Sequence, residues 1–352
     1  MPAPEPVKGR GASSNPSNRF EKIAYEREID WNPEEDPLAR TQVIKDTTQT
    51  IIVYNNSPDV GFDAGINVYR GCEHGCAYCF ARPTHEYLGF SAGLDFETKI
   101  VVKEDAPELL RKELSSTKWK PQVLAMSGVT DCYQPLERKM QLTRRCLEVL
   151  LEFRNPVCII TKNFLVTRDV DLLSELAKFN AAVVNVSITT LDSTLQPKLE
   201  PRAALPRARL EAIRILSGAG VNVGVLMAPI IPGLTDHEIV NVIGEAVGAG
   251  AKFAGCVPLR LPFAVKNIFE QWLEQHFPEK KDKVLNKVRA MRDGKLNDPN
   301  FGSRMRGDGI FADQIHQMFH VACRKAGLKE ERTNLSTEHF RRPGGLQLNL
   351  GL

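Results

Sequence analysis

The sequence predicts an α/β fold: a partial, open TIM-type barrel of about six parallel β/α units. Three observations predict it. The strand-like segments are nearly continuous apolar runs, as in parallel strands buried on both faces. Segments of helical period separate them. The links between them are short, which implies right-handed crossovers onto one sheet. About six such units fit between residues 65 and 259, fewer than the eight that close a barrel.

Taken in order, Thr50–Tyr54, Ile66–Tyr69, Lys99–Lys103 and Val123–Met126 read as strands. A helical stretch follows, with Leu136, Met140, Leu147, Leu150 and Leu151 on one face. Val157–Thr161 is a strand and Val170–Leu176 a helix. After the strand Val183–Thr189 comes the helix Arg207–Leu216, entered by Pro206 and ended by Gly218 or Gly220. Val221–Ile231 is a strand. Thr235 and Glu238 have capping-box spacing ahead of a helix carrying Ile239, Val242, Ile243 and Ala246 inward. Phe253–Pro258 is the last strand. Residues 1–60 are expected to form a tail and a leading strand, 61–262 the core, and 263–352 a mainly helical extension.

Composition narrows the class. The chain has 352 residues, 42% hydrophobic and 25% charged, which fits a globular protein and excludes a wholly disordered or collagen-like one. The longest weakly polar run, Val223 to Leu234, is interrupted by Pro229 and Pro232 and is too short to cross a membrane. Met1 to Asn18 is rich in Pro, Ser, Gly and Ala and has no signal-peptide core; a disordered tail and a cytoplasmic location are expected. In a reducing compartment the eight cysteines point to metal or catalysis rather than disulfides. A net charge of +3 does not by itself announce a nucleic-acid partner.

The strongest signal is Cys72-Glu73-His74-Gly75-Cys76-Ala77-Tyr78-Cys79, directly after the first core strand. Parallel α/β folds place ligand chemistry on loops at the carboxyl ends of strands. Structural zinc needs four ligands; His74 or His85 could add one, but no second Cys-x-x-Cys pair exists. Phe80 after Cys79 excludes the covalent haem motif, and the fourth cysteine of a ferredoxin pattern is missing. A three-thiolate iron–sulfur cluster with one iron left open is the further option.

Cys-x-x-x-Cys-x-aromatic-Cys resembles the signature loop of the radical S-adenosylmethionine (SAM) enzymes. The segment Tyr69 to Pro83 is similar to the subgroup of spore photoproduct lyase, also called DNA repair photolyase-like. Further matches are Thr130-Asp131-Cys132-Tyr133-Gln134-Pro135, Thr189-Thr190-Leu191-Asp192, Leu199-Glu200-Pro201-Arg202 and Ala228-Pro229-Ile230-Ile231-Pro232-Gly233. The resemblance implies a [4Fe–4S] cluster on Cys72, Cys76 and Cys79, with SAM on the fourth iron. An electron from a donor such as flavodoxin or ferredoxin would cleave SAM, and the deoxyadenosyl radical would abstract a substrate hydrogen.

The resemblance also implies roles by position. Tyr78 would pack by the adenine. Ser127, Gly128, Thr130 and Asp131 would stand near the methionine amino group, although the family's Gly-Gly-Glu is absent there. Ser187 and Thr189 would meet ribose or carboxylate. Glu200 and Arg202 would follow, with Arg202 as a bidentate carboxylate partner or the two as a structural ion pair. Backbone from Ala228 to Pro232 would line the adenine. Cys132 is a candidate for returning hydrogen to the product radical, or else a packed thiol; it follows Asp131, whereas the lyase's cysteine precedes the Asp. Arg304, Arg306, Arg324, Lys325, Arg332, Arg341 and Arg342, with Phe311, Phe319 and Phe340, suggest a nucleic-acid surface or a solvated helical face. A nucleic acid is the favoured substrate. Modification of RNA or a peptide is the runner-up, and a non-catalytic iron–sulfur or zinc module is the reading from another class.

Overall fold

Six short apolar runs do assemble side by side. A computed structural model describes residues 5–21, 40–126, 128–328 and 334–343. The strands are β1 (Gln42–Lys45), β2 (Ile52–Tyr54), β3 (Ala64–Ile66), β4 (Tyr69–Arg70), β5 (Lys99–Val102), β6 (Leu124–Met126), β7 (Val157–Thr161), β8 (Ala182–Ser187), β9 (Asn222–Ile230) and β10 (Phe253–Pro258). The large sheet has the order β10-β9-β8-β7-β6-β3-β2. All its pairings from β3 to β10 are parallel, and only β2 pairs antiparallel, on β3. This is the expected open barrel of six parallel strands. β1, β5 and β4 form a separate three-stranded sheet. Ile66–Tyr69 therefore splits between two sheets, and Lys99–Val102 lies outside the barrel.

Helices α1 (Ala106–Ser115), α2 (Leu142–Phe153), α3 (Val170–Ala177), α4 (Pro206–Gly218) and α5 (Ile239–Gly248) cover the sheet's outer face. Pro206 stands in the first turn of α4, where a missing N–H costs nothing. The helical stretch from Leu136 breaks at Gln141, whose φ is 54°. The Glu137 carboxylate then accepts the Thr143 and Arg144 N–H groups and caps α2 from the preceding turn. The capping box at Thr235 and Glu238 does not form. Thr235 Oγ1 accepts from the Ile231 N–H at 2.9 Å, and Glu238 is drawn to the Thr190 hydroxyl and the Leu191 N–H. Donors from two buried loops, the Ile231 and Leu191 N–H groups and the Thr190 hydroxyl, outcompete the helix end.

The extension is helical, with α6 (Val265–His276), α7 (Lys281–Ala290) and α8 (Ile310–Lys325). It is not a separate body. Ile315, Phe319 and Cys323 of α8 join the barrel's core. Phe269, Trp272, Val284 and Val288 of α6 and α7 share a second core with Cys76, Tyr78 and Leu199. No helix among the described residues is long and apolar enough to cross a membrane.

The tail expected to be disordered is partly docked. Gly11 and Ala12 donate their N–H groups to the Glu97 carboxylate, at 3.1 and 2.9 Å, and the Arg10 guanidinium donates to the Glu97 carbonyl. Composition missed this because backbone amides, not apolar side chains, supply the contact. A Cβ on Gly11 would stand 1.8 Å from the Gly75 carbonyl oxygen, so only glycine permits the approach. Gly11→Val should detach this segment, and limited proteolysis should then cut ahead of residue 20 several-fold faster than in the wild type.

Candidate active site

The loop after β4 wraps tightly. Gly71 and Gly75 have φ of 82° and 66°. The Cys72 N–H donates to the Phe96 carbonyl at 2.9 Å, and the Cys79 N–H to the Cys76 carbonyl at 3.2 Å. Arg82, fully buried, donates through Nε and Nη2 to the Cys76 carbonyl and through Nη1 to the Ala92 and Gly93 carbonyls. Its charge is met by the Glu97 carboxylate at 2.5 Å.

Cys72, Cys76 and Cys79 line one cavity with Phe80, Gly128, Thr130, Asp131, Thr161, Lys162 and Ser187. The loops after β6, β7 and β8 contribute from the carboxyl ends of the parallel strands, and the loop after β4 joins them from the smaller sheet. The three thiols are free of disulfides. Burial pushes the Cys76 and Cys79 thiols up, so holding both as thiolates requires a bound cation. Among the described residues no three His, Cys, Asp or Glu side chains crowd close enough for a single ion. Thiols set around a cavity rather than a point suit a cluster, in which each thiolate takes its own iron.

Asp131 organises the cavity floor. It accepts from the Tyr133 N–H, the Thr161 hydroxyl and the Lys162 N–H, at 2.8 to 2.9 Å. His74 Nδ1 lies 3.3 Å from its second oxygen. Burial opposes charge on both partners, yet the pair wins: His74 rises to about 10 and Asp131 falls to about 2. Asn163 Nδ2 lies 3.1 Å from His74 Nε2. His74 is thus committed to an ion pair, and His85 Nε2 faces the Lys99 carbonyl at 3.0 Å. Thr130 Oγ1 donates to the Gly71 carbonyl, and Gln134 clamps the loop between that carbonyl and the Glu73 N–H.

The other candidates divide. Ser187 Oγ is buried in the cavity wall with no hydrogen-bond partner. Thr189, Tyr78 and Arg209 all converge on Glu200, which is fully buried. Glu200 therefore does not pair with Arg202 and does not line the cavity. Arg202 turns to Glu73, 3.0 Å away, on the outer side of the loop, and it too is absent from the cavity wall. Ala228 to Pro232 are likewise outside the lining. Cys132 lies 1% exposed in the barrel core with Tyr69, Tyr133 and Cys146, beneath the cavity rather than in its wall. Ser127 lies outside the described residues. Lys162 is the charged lining residue that sequence reasoning missed, along with Phe80 and Thr161. Its position directly after the strand Val157–Thr161, where the fold places ligand groups, was the available signal.

The basic residues expected to form one surface separate. Arg341 and Arg342 donate to the carbonyls of Glu152, Ser116 and Trp119, which precede strands and so mark the opposite end of the sheet. Phe319 is buried, and Arg332 lies outside the described residues. Arg304 stays on the cavity side, paired with Asp59.

Glu200 also predicts acid behaviour. Burial pushes its carboxyl up, but Arg209 and Lys162 more than offset this and hold it near 2. A depressed folded value stabilises the fold above the unfolded value near 4.5, and that stability drains as pH falls toward 2. Urea unfolding should show about 3 kcal/mol lost between pH 5 and pH 2, and Glu200→Gln should flatten that limb.

Residues 66–246 match the family model of the radical SAM superfamily. The uncharacterized Mycobacterium tuberculosis protein Rv2578c is 34% identical over 254 residues, 71% of this chain and 74% of that protein. The uncharacterized Methanocaldococcus jannaschii protein MJ0683 is 31% identical over 228 residues, 64% of this chain and 81% of that one. A solved structure of a spore photoproduct lyase variant with bound AdoMet and dinucleoside spore photoproduct superposes with a TM-score of 0.60 at 16% identity, covering 86% of this chain and 85% of that one. That likeness shows the fold, and it is the fold of the subgroup the loop resembles. With a matching family model over half its length and the three cysteines gathered around one cavity, this chain belongs to the radical SAM superfamily.

Proposed function

We propose that this protein binds a [4Fe–4S] cluster on Cys72, Cys76 and Cys79 and SAM beside it, and abstracts hydrogen from a large substrate. The carrying observation is the cavity itself: three thiols share it with an ammonium group and a buried, unbonded hydroxyl. When bound and reduced, the cluster supplies the electron that splits the SAM sulfonium into methionine and a deoxyadenosyl radical.

The chain's own residues hold and orient. Lys162 supplies the cation for the methionine carboxylate, the role the resemblance gave to Arg202. Ser187 Oγ, with no partner in the protein, donates to the same ligand. Gly128, Thr130 and Asp131 wall the side expected to meet the amino group. Tyr78, whose hydroxyl is held by Glu200 and Thr189, packs behind the wall rather than in it, so the adenine contact expected of it is not available in this arrangement. Asp131 has its acceptors filled by His74, Thr161, Tyr133 and Lys162, so it positions the Lys162 backbone rather than moving a proton. Cys132, packed in the core, is a structural thiol in this reading.

The reaction is lyase-like, the substrate favoured is a nucleic acid, and the electron comes from a small donor such as flavodoxin or ferredoxin, in the cytoplasm. The gap left by six strands suits a bulky substrate. A metal module without SAM chemistry would have no use for Lys162 and Ser187 at this wall.

Anaerobically reconstituted protein, reduced with SAM present, should release deoxyadenosine, and Cys76→Ala should release none. Lys162→Met should keep the cluster's absorbance and weaken SAM binding roughly tenfold to a hundredfold, as expected for a lost charge-assisted bond. A loaded cluster with no deoxyadenosine under strong reduction would sink the proposal.

A further inference from the structure

Phe80, directly after the third cluster cysteine, lines the cavity and is still 49% exposed. An exposed aromatic face at the mouth of a site can stack a flat partner. The Arg260 guanidinium lies over its ring, 4.5 Å from the centroid. Arg260 follows β10, so it reaches the cavity mouth from the sheet's far edge.

Arg260 is unusual in what it lacks. Among the described residues its five N–H donors meet no hydrogen-bond acceptor and no ion-pair partner, and the side chain is half-buried at the cavity mouth. The carboxylate that reaches it electrostatically, Asp59, is already paired with Arg304. Arg304 in turn lies over the exposed ring of Phe301, 4.4 Å from its centroid. Arg292 donates to the Pro258 and Leu259 carbonyls and so fixes the turn that carries Arg260. Two arginine–phenylalanine stacks therefore lie near one another, and the one formed by Arg260 and Phe80 sits on the cluster loop. The buried arginines of the site, Arg82 and Arg209, are each matched by a glutamate. Arg260 is not.

We infer that Arg260 and Phe80 form a substrate-binding site, in which Arg260 grips a phosphodiester and Phe80 stacks the adjoining base of a single-stranded or unpaired segment. The guanidinium fork matches phosphate oxygens, and the ring accepts any base. A base held there lies against the cavity wall, within the space where hydrogen is abstracted. This rests on the proposed function and deepens it by naming the groups that select the substrate. It also replaces the single surface suggested by the run of late basic residues, of which Arg341 and Arg342 stand at the opposite end of the sheet.

The test uses the reconstituted holoprotein with SAM and a fluorescent single-stranded oligodeoxynucleotide, titrated at several salt concentrations. Arg260→Gln, at matched iron content, should weaken binding about tenfold and lower the slope of log Kd against log salt by about 0.7, one phosphate's worth. Arg260→Lys should recover the slope but not all the affinity. Phe80→Leu should weaken binding about tenfold with the slope unchanged, and Phe80→Trp should restore it. Unchanged binding in Arg260→Gln and Phe80→Leu would overturn the inference. So would equal competition by a glutamate-rich peptide, or wild-type protein that releases deoxyadenosine but binds no oligonucleotide; in that last case the SAM chemistry stands and only this site falls. Failure of the wild type to release deoxyadenosine would instead remove the proposed function beneath it.

Discussion

The buried Arg82–Glu97 pair holds the loop on which the chemistry depends. A guanidinium and a carboxylate removed from water are costly unless each finds further hydrogen bonds. Here both do. Arg82 spends its remaining donors on three carbonyls of the loop and its neighbour, and Glu97 takes two backbone amides from the far end of the chain. The pair therefore converts charge into shape. It fixes where the Cys76 backbone runs, and through it where three thiols stand. Removing Glu97 alone would strand a buried cation, a loss of order 3–5 kcal/mol.

A second layer of paired groups lies behind the cavity. Asp131 with His74, which reaches the cavity wall, and Glu200 with Arg209, which is fully buried, are ion pairs that touch the loop or its aromatic residue. Each acidic partner collects donors from strands and loops that are distant in sequence. Asp131 joins β6 to β7, and Glu200 joins the loop after β8 to Tyr78. Such pairs contribute little net stability, but they restrict each element to one arrangement. The cavity is preorganised in this sense: what faces the ligand is held by what does not.

Much of the barrel could be read from the chain because its strands are short β-branched runs and its helices have clear periods. β7, β10 and α4 fall where Val157, Phe253 and Pro206 placed them. The cysteine loop was legible because three thiols in eight residues have few other uses. The roles of Glu200, Arg202 and Cys132 were not, since position in a motif does not say which way a side chain turns. Glu200 and Arg202 are two residues apart yet serve opposite sides of the loop. Lys162 and Arg260 carried no motif at all; each is defined only by what surrounds it. The docked tail escaped notice because hydrogen bonds from backbone amides leave no trace in composition.

That docking has a practical reach. Gly11 and Ala12 come from a stretch that looks dispensable on paper, rich in the residues of linkers. Trimming the chain to just ahead of the first strand, near residue 40, would strip two donors from Glu97 and open the back of the cysteine loop to solvent. An apparently conservative truncation would thus reach the three thiols of the loop, and solvent would gain access to them before any helix unfolded.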